Sequence, residues 1–295
     1  MSDTVKVTII LPVYGVAEYI EACTLSLLAQ TLEEMQFIFV DDHSPDDSIA
    51  IAQRIVSGHR REGQFLFLRP EKNLGAGMAR NFALPYSKGE YVAFVDSDDT
   101  IAPEMFELLY DEAHRAGSDL CCCQMQKCYL DGTRGEILKN PHIDGTLLVH
   151  ERRAYVLTRY VSLFASMVFR RGMLEEYDIR FPEDRAADDS YFVGCAWMVA
   201  RSVSYVDRPL YNYMIRPGSV TTTKDSDKWR KRMVVFAKLM DFAKRTGAYD
   251  EFKDEIDFMY IKKGYLSSVM NYVINSTSPR RETIGEIVRQ AEQVV

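Results

Sequence analysis

The chain has 295 residues and a formal net charge of -7, from 36 Lys and Arg against 43 Asp and Glu. Apolar residues make up 47% and charged residues 27%, which is the balance of a globular protein and excludes a disordered chain. The acidic charge argues against a nucleic-acid partner, because binding a phosphate backbone needs a concentrated basic surface. No run approaches the roughly 18 apolar residues of a spanning helix, and no basic leader opens the chain, so we expect a cytoplasmic protein.

The first hundred residues alternate short apolar strands with helices. Strands are predicted at residues 5–11, 35–40, 64–68 and 91–95, and helices at 18–30, from 44 onward and at 76–84. The segment Ser44-Pro45-Asp46-Asp47 has the features of a helix start, with a hydroxyl N-cap, proline at the first position and acids in the first turn. Near-continuous apolar strands that alternate with helices predict an α/β fold, with a mostly parallel central sheet covered on both faces.

The second half is less regular and ends in helices. Strands are predicted at residues 119–128, 202–206 and 210–215, helices at 151–160 and 188–200, and an apolar stretch at 161–169. After Pro217-Gly218 the pattern changes to long helices at 227–246, 249–275 and 280–294. We therefore predict a domain at 1–219, with halves at 1–100 and 101–219, followed by a helical region at 220–295.

Polar clusters follow three of the predicted strands. Pro12-Val13-Tyr14 follows the first, Asp41-Asp42 the second, and the run from Asp96 through Ser97 to Asp98 follows the fourth. Ligands of open α/β sheets bind beyond the carboxyl ends of the strands, so these clusters should line one crevice. In an extended segment Asp96 and Asp98 face the same way while Ser97 turns aside. Mg²⁺ or Mn²⁺ would suit such a pair, with water and substrate phosphates completing the coordination; capping of the next helix is the alternative.

The order and spacing of several motifs are similar to those of glycosyltransferase family 2, whose members have the GT-A fold. The resemblance covers roughly residues 5 to 220 and is most specific in the first hundred. Its motifs are Val7–Tyr14, Phe39–Asp42, Asn73–Gly75, Ala79–Asn81 and Gly89–Asp99. The segments Pro209–Tyr213 and Arg216–Ser219 resemble bacterial members that build surface polysaccharides.

This resemblance implies a metal-dependent, inverting transferase that moves a sugar from a nucleotide-sugar donor, with UDP favoured, to a hydroxyl of a saccharide or lipid-linked saccharide. Pro12, Tyr14 and Asp42 match positions that hold the nucleotide base. Asp96 matches the acid near the ribose and sugar, and Asp98 the direct metal ligand. The other donor-side candidates are Val13, Asp41, Asn73, Gly75, Arg80 and Ser97.

The family also has an acidic pair whose second member acts as general base on the acceptor hydroxyl. Here the match is Asp188-Asp189, which opens a predicted helix, with Asp189 in the position of the base and Asp188 beside the substrate. Glu183-Asp184, five residues upstream, is a competing assignment. Two acids that simply stabilise a helix N-terminus are the structural alternative.

Two other functions remain open at this point. A sugar nucleotidyltransferase would share the sheet and the metal, but it should carry a glycine-rich loop after the first strand, where only Gly15 is present. A non-catalytic module that binds or assembles partners is the second alternative. The presence of Asp42, Asp96, Asp98 and Asp189 together argues against it.

The segment from 221 to 245 is basic in an otherwise acidic chain. A basic amphipathic helix that carries Trp229, Met233 and Phe236 could lie on the inner face of the cell membrane, where a lipid-linked acceptor would be found. The alternative is a helix that packs on the catalytic domain or on a second copy of the chain, with a solvated basic face.

Overall fold

A computed structural model describes residues 4–143, 145–183, 187–216, 228–276 and 281–292. The strands are β1 Val7–Val13, β2 Met35–Asp41, β3 Phe65–Leu68, β4 Tyr91–Phe94, β5 Thr100–Ile101, β6 Leu120–Tyr129, β7 Arg134–Leu138, β8 Gly145–Thr146, β9 Met167–Arg170 and β10 Ser202–Ile215. Within the described ranges they form one sheet in the order β3-β2-β1-β4-β9-β6-β10-β5, with β7 beside β6 and β8 beside β10.

Helices cover this sheet and continue beyond it toward the C-terminus. They are α1 Ile20–Leu28, α2 Ser48–Val56, α3 Ala76–Ala83, α4 Met105–Ala116, α5 His150–Arg159, α6 Arg171–Glu176, α7 Asp188–Val199, α8 Lys228–Arg245, α9 Ala248–Glu251, α10 Lys253–Met259, α11 Ser267–Asn275 and α12 Arg281–Glu292. A π-helical segment, Tyr260–Leu266, joins α10 to α11. The mixed α/β architecture with a C-terminal helical region agrees with the prediction.

The first four long strands are parallel, as predicted. β1 pairs with β2 and β4, and β2 pairs with β3, all in parallel register, and every residue of β1 and β2 is buried. Strand β9 lies antiparallel between β4 and β6, so β6 runs in the same direction as β4. The carboxyl ends of β1, β2 and β4 therefore meet along one edge, where the predicted polar clusters lie.

Three predicted elements differ in detail. Helix α2 begins at Ser48 and not at Ser44, because the Asp46 carboxylate accepts bonds from the Ser44 hydroxyl and the Ala17 amide and holds residues 44–47 as a loop. The two strands predicted between 202 and 215 are one strand, β10, with register shifts between Val206 and Tyr211. The helix predicted at 249–275 is divided at Phe252 and by the π-helical segment.

The C-terminal helices share the core of the sheet domain. Trp229, Met233 and Phe236 are all less than 5% exposed and belong to the same buried cluster as the strands. The apolar face of α8 is therefore covered by the protein, and the expectation that these three side chains lie on a membrane is wrong. In the described part of the chain, no helix has the length and apolar character needed to cross a bilayer. The division at residue 219 stays a prediction.

Candidate active site

The loop after β1 borders the edge where β1 and β2 end. Pro12 and Val13 are buried in β1, whereas the Tyr14 ring is 54% exposed and open to a stacking partner. Gly15 has a φ of +65°, which glycine adopts without strain, and its amide donates to Ser44 Oγ at 2.9 Å. The predicted base-binding residues thus form a fixed loop with one exposed ring.

Asp41 and Asp42 follow β2 and organise the loops around them. Asp42 is buried, and its two carboxylate oxygens accept the amides of Leu74 at 2.6 Å and Gly75 at 2.8 Å. The Asn73 side chain donates to the Asp42 carbonyl at 2.7 Å. Asp42 therefore anchors the loop that leads into α3, and recognition of a uracil by the same carboxylate stays a prediction.

The acidic run after β4 forms a turn, closed by a hydrogen bond from the Asp99 amide to the Asp96 carbonyl at 3.0 Å. The expectation of an extended segment is therefore wrong. Ser97 nevertheless turns aside from the two aspartates, since it is buried while the Asp96 and Asp98 carboxylates keep access to solvent. Each carboxylate is paired with an arginine from a distant part of the chain. Asp96 Oδ1 lies 2.5 Å from Arg80 Nη2, and Asp98 Oδ2 lies 2.7 Å from Arg216 Nε.

Asp99, which was not among the predicted site residues, fastens this turn to β10. Its buried carboxylate accepts the Tyr211 hydroxyl at 2.6 Å and the Met214 amide at 2.7 Å. The Tyr211 hydroxyl also accepts the Asp96 amide at 3.1 Å. Burial raises the pKa of Asp99 well above its usual value, and the charges of Asp96 and Asp98 add to the rise. Arg216 follows the end of β10, so this anchor also positions the arginine that meets Asp98.

Arg80 is a buried residue of the site and not a surface residue of α3. Its guanidinium lies 4.7 Å from the ring centroid of Phe164 and 5.1 Å from that of Phe181. The neighbouring Asn81 exchanges two hydrogen bonds with the backbone of Phe181, at 2.7 and 2.9 Å. Helix α3 therefore joins the donor-side turn to the chain that leads into α7.

The acidic pair Asp188-Asp189 opens α7, as predicted, and meets α3 at a glycine. A Cβ atom on Gly77 would lie 2.9 Å from Asp188 Oδ2 and 3.2 Å from Phe181 Cβ, so a side chain here would push the Asp188 carboxylate from its position. Burial and the charge of Asp189 raise the pKa of Asp188 to about 6. Of the competing pair, Asp184 lies outside the described residues and Glu183 is exposed.

Asp189 is half-buried among cations that the C-terminal helices contribute. Burial raises its pKa, and the hydrogen bond from the Ser190 amide at 2.7 Å together with the charges of Arg232, Lys263 and Arg80 opposes that rise. Arg232 on α8 donates from Nε to the Lys263 carbonyl at 2.7 Å. Neither Arg232 nor Lys263 is within 4 Å of a carboxylate in the described ranges.

Tyr160 connects these cations to α7. Lys263 Nζ donates to the Tyr160 carbonyl at 2.7 Å and lies 3.5 Å from the centroid of its ring. The Tyr160 hydroxyl in turn donates to the carbonyl of Ser190, next to Asp189, at 3.2 Å. Sequence reasoning missed Lys263 and interpreted the basic residues around Arg232 as either a membrane-binding or a solvated surface. The π-helical segment that carries Lys263 could not be recognised from periodicity.

The carboxylates of Asp96 and Asp98 could supply some of the ligands of a divalent cation, but not all of them. Across the described ranges no group of three or more His, Cys, Asp or Glu side chains could hold a metal ion. Asp98 and Asp96 offer oxygen ligands that stay partly open to solvent, which suits a hard cation that takes its remaining ligands from water and phosphates.

The fold and the carboxylate-lined edge agree with a glycosyltransferase, and the family model for glycosyl transferase family 2 matches residues 8–178. The chain belongs to this family. It is 29% identical over 262 residues to EpsH of Bacillus subtilis, covering 86% of this chain and 74% of EpsH.

One further relative is named for its action on poly(ribitol-phosphate), and another has been solved with a nucleotide. A poly(ribitol-phosphate) beta-glucosyltransferase of Bacillus spizizenii is 30% identical over 216 residues, which are 72% of this chain but 32% of that enzyme. The crystal structure of a fragment of TarS from Staphylococcus aureus in complex with UDP superposes with a TM-score of 0.72 at 22% identity, covering 98% of this chain and 81% of the fragment. This likeness covers both the sheet and the C-terminal helices, in agreement with the predicted GT-A fold and helical region.

Proposed function

We propose that this glycosyltransferase is an inverting, metal-dependent enzyme that moves a sugar from a UDP-sugar to a saccharide hydroxyl in polysaccharide biosynthesis. The observation that carries the proposal is the meeting of two acidic elements at one edge of the sheet. The Asp96–Asp98 turn and the Asp188-Asp189 pair both contact α3, through Arg80 and at Gly77 respectively.

The donor would lie along the carboxyl ends of β1, β2 and β4, with its base near the exposed Tyr14 ring. A bound divalent cation, held by Asp98 and Asp96, would supply positive charge for the departing diphosphate. Arg80 and Arg216 are poised beside the same carboxylates and can also contact phosphate oxygens. The UDP complex of TarS supports UDP as the nucleotide.

Asp189 is the proposed general base. As the acceptor oxygen attacks the anomeric carbon, its hydroxyl proton passes to the Asp189 carboxylate, while the bond from the anomeric carbon to the diphosphate breaks on the opposite face. The base must be ionised to accept that proton. The charges of Arg232 and Lys263 favour the ionised form against the effect of burial.

Asp189→Asn tests this role, because it keeps the size of the side chain and removes its ability to accept a proton. We expect hydrolysis of a UDP-sugar, a slow substitute for transfer, to fall by roughly 10² to 10⁴-fold while the affinity for UDP stays near wild type. Asp241→Asn, an exposed aspartate on α8, is the matched control and should be neutral. Unchanged hydrolysis by a folded Asp189→Asn protein that binds UDP would rule Asp189 out as the base.

A further inference from the structure

A cavity of about 460 Å³ opens beside the middle of β6, apart from the proposed donor site. Strand β9 pairs with β6 only from Leu120 to Cys122, and β7 pairs with it only from Met125 to Cys128. Between these two partners the edge of β6 is uncovered, and the chain at residues 139–142 and helix α5 form walls around the gap. The cavity thus lies over the middle of β6, and Tyr205 to Asp207 of the paired strand β10 complete its lining.

Aromatic rings from α5, from the chain at residues 139–142 and from β10 line this cavity. Tyr155 on α5 is 42% exposed, and the Arg159 guanidinium lies 4.4 Å from its ring centroid. His142 stacks on Tyr205 with 4.5 Å between the ring centroids. Flat rings with polar tips can pack against the apolar face of a sugar ring and still bond to its hydroxyls.

The charged side chains of the lining favour an anion. Lys139 and Arg159 have no carboxylate within 4 Å in the described ranges, and the lining carboxylate, Asp207, accepts a hydrogen bond from the Gln124 amide. Two cations and one carboxylate leave a formal charge of +1 on the lining, in a chain whose net charge is -7. Arginine in particular binds phosphate and carboxylate groups with paired hydrogen bonds.

The C-terminal end of α5 connects the cavity to the helix that carries the proposed base. Arg159 is the last residue of that helix, and the next residue, Tyr160, donates its hydroxyl to the carbonyl of Ser190. Ser190 follows Asp189 directly in α7. A chain of sugars with one hydroxyl at Asp189 could therefore continue along α5 into the cavity.

We propose that this cavity binds the acceptor and selects a saccharide that carries a phosphate or carboxylate group. Tyr155 and the His142–Tyr205 stack contact the sugar ring, and Lys139 and Arg159 contact the anionic group. The inference rests on the proposed glycosyl transfer for its role, but binding to the cavity can be measured without turnover.

Ligand-observed NMR with glucose 6-phosphate, glucuronic acid and glucose as probes tests the proposal, with the full chain saturated with UDP and Mg²⁺ to occupy the donor site. We expect the charged sugars to bind more tightly than glucose, and Arg159→Met to weaken them about tenfold, as for the loss of one charge-assisted bond. Tyr155→Ala should weaken all three probes. Arg152→Met, on the same helix but outside the lining, is the matched control.

Equal binding of charged and neutral sugars, or equal losses in Arg159→Met and Arg152→Met, would overturn the proposal. Tighter binding of glucose 6-phosphate than of glucuronic acid assigns the group to phosphate, and the reverse assigns it to a carboxylate. A separate titration with UDP alone reports on the donor site. If UDP does not bind in that titration, the proposed function is contradicted. The proposal for the cavity is tested separately, by the effects of the variants on binding of the sugars.

Discussion

Replacing Lys263 with methionine should stabilise the fold and impair catalysis at the same time. Burial lowers the pKa of this lysine to about 7, against an ordinary value of 10.5, and the charge of Asp189 offsets part of the effect. A lysine whose pKa is lowered in the folded state destabilises that state at every pH at which the lysine is charged in the unfolded chain. The cost is largest below pH 7 and fades as the pH rises toward the unfolded value, because the unfolded state then binds fewer protons.

The size of the effect follows from the two pKa values. Each pKa unit corresponds to about 1.4 kcal/mol, so the lowered pKa of Lys263 costs about 5 kcal/mol of stability near pH 6 and about 2 kcal/mol near pH 9, where the folded lysine is neutral. These are upper limits, because the side chain keeps some contact with solvent. The stability gained by Lys263→Met should therefore shrink by roughly 2 to 3 kcal/mol across this range.

Urea unfolding from about pH 6 to about pH 9 measures this difference. Lys262→Met is the matched control, because Lys262 is the exposed neighbour and its replacement should change stability by less than about 0.5 kcal/mol at every pH. Hydrolysis of a UDP-sugar near pH 6, where Lys263 is charged, should be slower for Lys263→Met, since a cation that favours ionised Asp189 is lost, and the difference should fade toward pH 9. A gain in stability that does not vary with pH would refute the reasoning.

Three other substitutions test separate parts of the site. Asp98→Asn should reduce the dependence of UDP affinity on Mg²⁺, and calorimetry that finds equal wild-type affinity with and without EDTA would contradict the metal assignment. Gly77→Ala should leave UDP binding near wild type but slow turnover, because the new Cβ would lie 2.9 Å from Asp188 Oδ2 and displace that carboxylate. Equal steady-state rates for the variant and the wild type would argue against this contact. Tyr211→Phe should lower the free energy of unfolding by about 1 to 3 kcal/mol in urea, since it leaves the buried Asp99 carboxylate without its hydroxyl donor, and an unchanged midpoint would contradict that role.

The sequence was sufficient to predict the parallel half of the sheet because its strands are buried on both faces. Such strands read as continuous apolar runs between helices, and β1, β2 and β4 were predicted to within a few residues. The antiparallel insertion of β9 was not predicted, because pairing direction depends on neighbours distant in the chain. The loop at residues 44–47 has the local pattern of a helix start. Its conformation is instead determined by the hydrogen bond that the Ala17 amide, distant in the sequence, donates to the Asp46 carboxylate.

The site was predictable where one short motif carries the chemistry, as at Asp96-Ser97-Asp98 and Asp188-Asp189. It was not predictable where distant segments contribute single residues. Arg216 had been noticed only as part of a family motif, and nothing in its spacing from Asp98 indicates that the two side chains meet. Lys263 could not be predicted for a second reason. The face of the helix on which its side chain lies depends on a π-helical segment, whose periodicity differs from that of an α-helix.

Asp96 and Asp98 share one electrostatic pattern, in which an arginine from another part of the chain faces each carboxylate. Arg80 faces Asp96, and Arg216 faces Asp98. A divalent cation that bound alone would have to compete with both guanidinium groups for the same oxygens. A diphosphate that arrives with the cation offers the two arginines new acceptors, so the cost of separating the ion pairs is offset. Cation and nucleotide should therefore bind with positive coupling, and by linkage each should raise the affinity of the other by the same factor.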